Sequence, residues 1–387
     1  MGLAEQDEGV KARQGGGVVA LAALVLTAAT VVQSTSSTLT PSIDAASATS
    51  FSPRILARVP STSIIYLVTQ DECAEQLCLG MWRTSNGGVS FERRSAPPAT
   101  KLVGALAGSL DRVVFATPSD GFAVVGNGTF TLYATTNGAR SWHRITSMPG
   151  KNWSGLTVTA HSLLVTTDRC TKRNVVCSDY RVWRSSLRGS HWTQLPVLWR
   201  TGSGPKDVYY GPSVAAFGDT VWELETAYMA VYLWTSHNDG RTFSRALEQK
   251  LGSVAGCELL PMSASDLWAQ CPTGMDVSFL DSSDGGRIWR SITQHQFSGT
   301  GGGAFDPVSS SLAYLDYGLS YGPPNLFRVS NGGVSETAVG RLSDDSSLVF
   351  TNERDGLAIC DQNDSDFLLA RTTDGGVRWS SEALYGN

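Results

Sequence analysis

The chain is 387 residues long, 41% hydrophobic and only 17% charged, with 30 Lys and Arg against 35 Asp and Glu for a net charge of −5. With no basic excess it lacks the electrostatic footprint of a nucleic-acid binder, and no nucleic acid is expected among its partners. Low charge density combined with abundant Ser, Thr and Gly suits an all-β protein.

Residues 1–17 carry Lys11 and Arg13 and read as a short cytoplasmic N-terminus. Residues 18–33 follow as a transmembrane anchor or signal segment, apolar or nearly so from Val18 to Val32, and no basic residue appears after it until Arg54. The positive-inside rule then directs the rest of the chain away from the cytoplasm, to the outer face of a bacterial envelope. The run is long for a signal-peptide core and short for a full span, and an uncleaved anchor is the favoured reading. Ala46-Ser47-Ala48 offers the alternative, a cleavage site that would release a secreted protein. No Cys lies near the end of the run, which excludes a lipoprotein anchor. Residues 34–50, rich in Ser, Thr and Ala, read as a flexible tether.

From residue 51 onward one phrase recurs seven times. It reads Thr84-Ser-Asn86-Gly-Gly88-Val-Ser-Phe91, then Thr135-Thr-Asn137-Gly-Ala-Arg-Ser-Trp142, then Ser185-Ser-Leu187-Arg-Gly189-Ser-His-Trp192. It returns as Ser236-His-Asn238-Asp-Gly240-Arg-Thr-Phe243, Ser282-Ser-Asp284-Gly-Gly286-Arg-Ile-Trp289, Val329-Ser-Asn331-Gly-Gly333-Val-Ser-Glu336 and Thr372-Thr-Asp374-Gly-Gly376-Val-Arg-Trp379. The closing positions 91, 142, 192, 243, 289, 336 and 379 are separated by 51, 50, 51, 46, 47 and 43 residues. A period of roughly 40–50 with one hairpin per unit predicts propeller blades. Strand-like runs such as Phe367-Leu-Leu-Ala-Arg371 precede each phrase, and the Asn, Asp and Gly between strands accept the positive φ of a tight turn. The Asn or Asp side chain can bond backbone N–H groups two residues on, and the closing Trp or Phe is expected to pack beneath the turn or between blades. Residues 51–387 are therefore expected to form one all-β, seven-bladed propeller that closes on itself. Whether an N-terminal strand is exchanged into the last blade stays open at this point.

These residues resemble the Asp-box, or BNR repeat, of pattern Ser/Thr-x-Asp-x-Gly-x-Ser/Thr-Trp/Phe, found in sialidases, xyloglucan-type endoglucanases, sortilin-like receptors and Ycf48-type photosystem II assembly factors. The wider unit is most similar to Ycf48: Ser119-Asp-Gly-Phe-Ala-Val-Val-Gly126 runs into Tyr133 and the hairpin ending at Trp142, and Asp355-Gly-Leu-Ala-Ile-Cys360 with Thr372 to Trp379 repeats it. Two copies depart: Leu187 stands in place of the acid or amide, and the sixth begins at Val329 and ends at Glu336, so looser hairpins are expected there. The resemblance implies an assembly or scaffold role for a membrane or envelope protein complex.

The cysteines agree with export. Cys73 and Cys78, Cys170 and Cys177, and Cys257 and Cys271 form three closely spaced pairs, each read as a local disulfide within one blade. Cys360 is left over, on the strand corresponding to that of Cys271, and reads as a buried thiol and not a nucleophile.

A sialidase likeness implies a Phe/Tyr-Arg-Ile-Pro motif, and Pro53-Arg-Ile-Leu56 supplies only Arg54 and Ile55 of it. Arg54 is a weak catalytic candidate and reads as a first-strand residue. Glu223 and Glu225 alternate along a predicted strand, Val221 to Glu225, and so share one face; glycosidase pairs come from separate blades, which leaves these two as weak candidates. Asp361, Asn363, Asp364 and Asp366 gather hard oxygen ligands in one loop without the Gly and distant Glu of an EF-hand, a weak calcium candidate beside the reading as a polar turn. No two of His143, His161, His191, His237 and His295 have metal-ligand spacing, and no metal or cofactor is expected. Trp199, Tyr209, Tyr210, Trp222, Tyr228, Tyr314, Tyr317 and Tyr321 are candidates for a sugar- or protein-binding face, with core packing the favoured reading for any one of them. The chain is read as a binding or assembly scaffold, with a sialidase-like glycan hydrolase or a non-catalytic carbohydrate binder as alternatives.

Overall fold

Seven four-stranded antiparallel sheets follow one another along the chain, each made of strands consecutive in sequence and hydrogen-bonded in sequence order. In this computed structural model, blade 1 runs from strand Phe51–Arg58 to Glu92–Arg94, blade 2 from Leu110–Phe115 to His143–Ile145, and blade 3 from Asn152–Val158 to Trp192–Gln194. Blade 4 runs from Ser213–Phe217 to Ser244–Gln249, blade 5 from Glu258–Pro261 to Arg290–Ser291, blade 6 from Phe305–Ser309 to Ser335–Gly340, and blade 7 from Ser347–Phe350 to Ser380–Ser381. The structure describes residues 51–381 apart from 74–75, 99–109, 127–129, 151, 171–176, 197, 199–211, 228–229, 250–255, 274–275, 293–303, 317–325, 331–334, 341, 343–346 and 362–366. The anchor and tether segments, residues 1–50, lie outside the described residues; no described helix is long and apolar enough to cross a membrane.

The first strand of each blade is innermost. That of blade 1 touches the first strands of blades 2 and 7, and that of blade 4 those of blades 3 and 5, which sets the sheets radially around a central axis. Ring closure uses no exchanged strand, because blades 1 and 7 are each completed by their own four consecutive strands.

Each sheet is apolar on both faces, and the core is seven apolar seams between neighbouring blades. Alternation divides each strand between two seams: Val221 packs toward blade 3, while Trp222 and Leu224 pack toward blade 5. The closing aromatic of each phrase lies in the seam with the preceding blade: Trp142 against blade 1, Trp192 against blade 2, Phe243 against blade 3, Trp289 against blade 4, Trp379 against blade 6 and Phe91 against blade 7.

Five of the turns repeat one hydrogen-bond pattern. In blade 1 the buried Thr84 hydroxyl donates to Asn86 Oδ1 (2.9 Å) and accepts from Gly88 N (3.0 Å), while Ser90 N donates to Asn86 Oδ1 (3.1 Å). The same bonds join Thr135, Asn137 and Ala139; Ser236, Asn238 and Gly240; Ser282, Asp284 and Gly286; and Thr372, Asp374 and Gly376. In blade 3, Leu187 has no acceptor to offer. Its side chain joins the apolar seam with blade 2, and the buried Ser185 hydroxyl has no partner among the described residues. In the sixth phrase Val329 pairs with Glu336 across the hairpin, while the turn itself, residues 331–334 with Asn331 and Gly333, lies outside the described residues.

The turn also presses into the blade before it. At Gly88 φ is +86° and a Cβ would stand 2.5 Å from Leu357 Cδ2 of blade 7, so a side chain is disfavoured on both conformational and packing grounds, although the equivalent place in blade 2 holds Ala139 at φ +60°. Replacing Gly88 with Ala is expected to destabilise the protein by about 2–4 kcal/mol in denaturant unfolding. Leu357→Ala alone should cost about 2–5 kcal/mol, and the double variant less than the sum, because the shortened side chain makes room for the new methyl. An unchanged unfolding midpoint for Gly88→Ala would refute this account of the closure seam.

Candidate functional site

The innermost strands and the turns that follow them enclose a central cavity of about 1130 Å³ to which all seven blades contribute. Its wall mixes apolar side chains, Val113, Ala216, Leu260 and Val308 among them, with the charged Arg58, Arg112 and Asp306, and the surrounding turns bring hydroxyls such as Ser61, Ser310 and Thr351. Several rim hydroxyls are committed to their own turns: Thr62 donates to Val59 O, Ser263 to the Asp266 carboxylate and Thr351 to Asp355 O.

Two cross-blade ion pairs set the charge of the channel. Arg58, at the end of the first strand of blade 1, donates to Phe350 O of blade 7 (2.7 Å) and to Pro307 O of blade 6 (2.9 Å). It also lies 3.7 Å from the buried Asp306 carboxylate, which accepts Phe350 N. Burial raises the Asp306 carboxyl above the ordinary range, and the Arg58 charge and the Phe350 N–H offset part of that rise. Arg112 of blade 2 reaches across to Glu258 of blade 5 at 3.3 Å, with both side chains about half exposed. These pairs join blades that are not sequence neighbours.

The two sequence-chosen carboxylates lie elsewhere. Glu223 and Glu225 are on the second strand of blade 4, Thr220–Ala227, on the face that carries Val221 into the seam with blade 3. Trp234 and Tyr232 are their register partners on the next strand. Glu223 is 2% exposed, and neither acid has an ion-pair partner among the described residues. Burial, and secondarily the nearby Glu225, pushes the Glu223 carboxyl up to about 8, and burial lifts Glu225 to about 7. At neutral pH Glu223 is therefore mainly a protonated acid inside a seam and not a carboxylate facing a cleft. Arg54 is on the first strand of blade 1, and its guanidinium lies 4.4 Å from the ring centroid of Phe367 in blade 7, a contact that helps close the ring.

Cys257 and Cys271 are joined by a disulfide that ties the entry of blade 5 to its second strand. Cys78 is disulfide-bonded. Cys170 and Cys177 face each other in register, while their side chains and that of Cys73 lie outside the described residues. Cys360 is buried in the seam between blades 6 and 7. The side chains of Asp361, Asn363, Asp364 and Asp366 lie outside the described residues, and no metal-ligating cluster is present among the described ones. Of the aromatics considered for a binding face, Trp222 and Tyr314 are fully buried, Trp222 in the seam with blade 5 and Tyr314 stacked on Phe350. Alternation on two-sided blades buries these rings. The other six lie outside the described residues. Arg58, Arg112 and Asp306 carry no motif, since each is a charge on a first strand that meets its partner only once the ring closes.

No family model and no curated protein matches the chain. Among solved structures it is similar to puromycin hydrolase, at 14% identity over 85% of this chain and 54% of that one, with a TM-score of 0.55. A puromycin-hydrolyzing peptidase of Mycobacterium tuberculosis matches at 9% identity over 86% and 53%, with a TM-score of 0.52. Ycf48 from Cyanidioschyzon merolae matches at 16% identity over 72% and 85%, with a TM-score of 0.47. The chain spans about half the length of the two hydrolytic enzymes it matches. At these identities the likeness concerns fold alone: the chain is a seven-bladed propeller.

The buried acids make stability pH-dependent. Both carboxyls have folded pKa values above the 4.5 of the ordinary group, so as pH rises the unfolded chain releases these protons first and stability falls between about pH 4.5 and 8. Glu223→Gln should flatten that fall and be more stable than the natural protein at pH 8.5 by on the order of 1 kcal/mol or more. Denaturant midpoints from pH 5 to 8.5 test this, and parallel curves for the two proteins would overturn it.

Proposed function

We propose that this chain is an exported, membrane-tethered propeller that serves as a binding or assembly scaffold for envelope or membrane proteins. The observation that carries the reading is the central cavity of about 1130 Å³, built by all seven blades and braced by the Arg58–Asp306 and Arg112–Glu258 pairs. Such a frame holds a broad face in fixed geometry, which lowers the ordering cost of binding a partner. Further support comes from the Ycf48-like blade unit in the sequence and from the apolar segment 18–33, which would hold the propeller beside membrane partners.

One observation favours a second reading. A carboxyl kept protonated at neutral pH, as at Glu223, is what a glycosidase requires of its general acid, so a glycan-acting hydrolase of the sialidase-like type is the competing function. Against it, Glu225 sits on the same strand instead of across a cleft, and the pair lies in a seam.

Tagged full-length protein captured from gently solubilised native membranes, with bound proteins and glycans identified by mass spectrometry, separates the two. A near-stoichiometric membrane-protein partner is expected. Recovery of envelope glycan with no protein partner would overturn the scaffold reading and direct attention to Glu223→Gln in hydrolysis assays.

A further inference from the structure

A second hollow, of about 540 Å³, opens where the outer strands of blade 1 meet the turn of blade 2. Three arginines line it, Arg93, Arg94 and Arg140, together with Leu79, Gly80 and Ser95, and no carboxylate is among its lining residues. In a chain of net charge −5, three cations around one hollow, of which Arg94 is paired with Glu92, leave a local positive excess.

The sequence places them there by strand register and by the turn. Arg94 pairs across strands with Met81, whose side chain fills the seam toward blade 2, so Arg94 is carried to the same side. Its side chain is 8% exposed; one terminal nitrogen donates to Glu92, and its Nε is buried with no hydrogen-bond partner. Arg140 enters from the opposite wall on the blade 2 turn, where its N–H donates to Asn137 Oδ1 at 3.0 Å. Its guanidinium is exposed and has no ion-pair partner among the described residues. The Arg93 guanidinium lies at 5.6 Å from the Trp82 ring centroid.

The two walls are fixed to each other. Ser95 N donates to Ala139 O at 2.9 Å, the Ser95 hydroxyl donates to Arg140 O at 2.7 Å, and Trp142 Nε1 donates to Ser95 O at 2.7 Å. The arginines are thereby presented by a stitched backbone, which is the preorganisation that anion recognition favours. Three guanidinium groups around one hollow, with that of Arg140 lacking an ion-pair partner among the described residues, favour a ligand that carries negative charge and several oxygens.

We propose that this hollow binds a phosphate-type oxyanion, seated between Arg94 and Arg140, either as a free solute or as the ester group of a larger molecule. The site is independent of the scaffold reading and stands or falls separately from it.

Isothermal titration of the purified full-length protein with inorganic phosphate, at constant ionic strength against chloride, tests the proposal. Saturable binding is expected, weakened about tenfold in Arg140→Gln and in Arg94→Gln by loss of a charge-assisted hydrogen bond. Arg241→Gln, on the turn of blade 4, should bind as the natural protein does. Arg140 is on an exposed turn, so its variant keeps the test valid even where Arg94→Gln fails to fold. O-phosphoserine in place of phosphate distinguishes the sources: tighter binding indicates an ester, and equal binding a free solute. No saturable phosphate binding beyond the chloride control, or full affinity in Arg140→Gln, would overturn the proposal.

Discussion

Where the phrase of blade 1 turns at Gly88, the backbone lies so close to Leu357 of blade 7 that a single methyl group would overlap it. The same approach recurs at Gly189 against Ile145, Gly240 against Leu195, Gly286 against Leu233 and Gly376 against Leu326, in each case a turn of one blade on an aliphatic side chain of the blade before. The carbonyls of these turns take hydrogen bonds from the same neighbour: Gly87 O from Arg371, Gly189 O from Ser147 and Asp239 O from Arg184. The internal hydrogen bonds around Thr84 and Asn86, and their equivalents, hold the loop in the one conformation that permits such contact. The turn is thus a joint between sheets as much as a link between strands, and the radial order of the blades follows from it.

At the centre, the inner strands of blades 1, 2, 5 and 6 bring charged side chains together. Arg58 meets this by bonding to blades 6 and 7 at once, and Asp306 is held in the same network. The seam between blades 3 and 4 is a different solution. Its buried apolar cluster is small, Leu164, Val182, Leu195 and Val221, and polar contacts extend it: Asp239 accepts the hydroxyls of Thr159 and Ser162 and pairs with Arg184. Glu223 occupies the same seam in its protonated form, a low-charge answer to burial where no cation has been supplied among the described residues.

What could be read in advance follows from the range of the interactions concerned. The turns at Asn86, Asn137, Asn238, Asp284 and Asp374 are local, made of residues two to four apart, and their spacing alone gives the number of blades. The common face of Glu223 and Glu225 is likewise a matter of strand alternation. Their burial is not, because it depends on blade 3, whereas Trp222 and Tyr314 take the core packing favoured for such rings, each facing a neighbouring sheet. Arg94 and Arg140 are distant in sequence and carry no motif; only the joint between blades 1 and 2 brings them to one hollow. Leu187 marks the reverse case, a visible departure from the pattern whose consequence, an orphaned Ser185 hydroxyl offset by packing against blade 2, needed the fold to be seen.

The absence of an exchanged strand makes each blade a complete modular part. Among the described residues all 28 strands lie in sheets formed from their own stretch of chain, and side chains and turn backbone link neighbouring sheets. The position of the covalent break in the ring is then a matter of genetic history and not of mechanical need. A gene reopened between blades 3 and 4 and rejoined between blades 7 and 1 would encode the same seven sheets in a rotated order. In the same way, duplication or loss in ancestral propellers of this kind would proceed by whole sheets, with the turn against the preceding blade as the common connector.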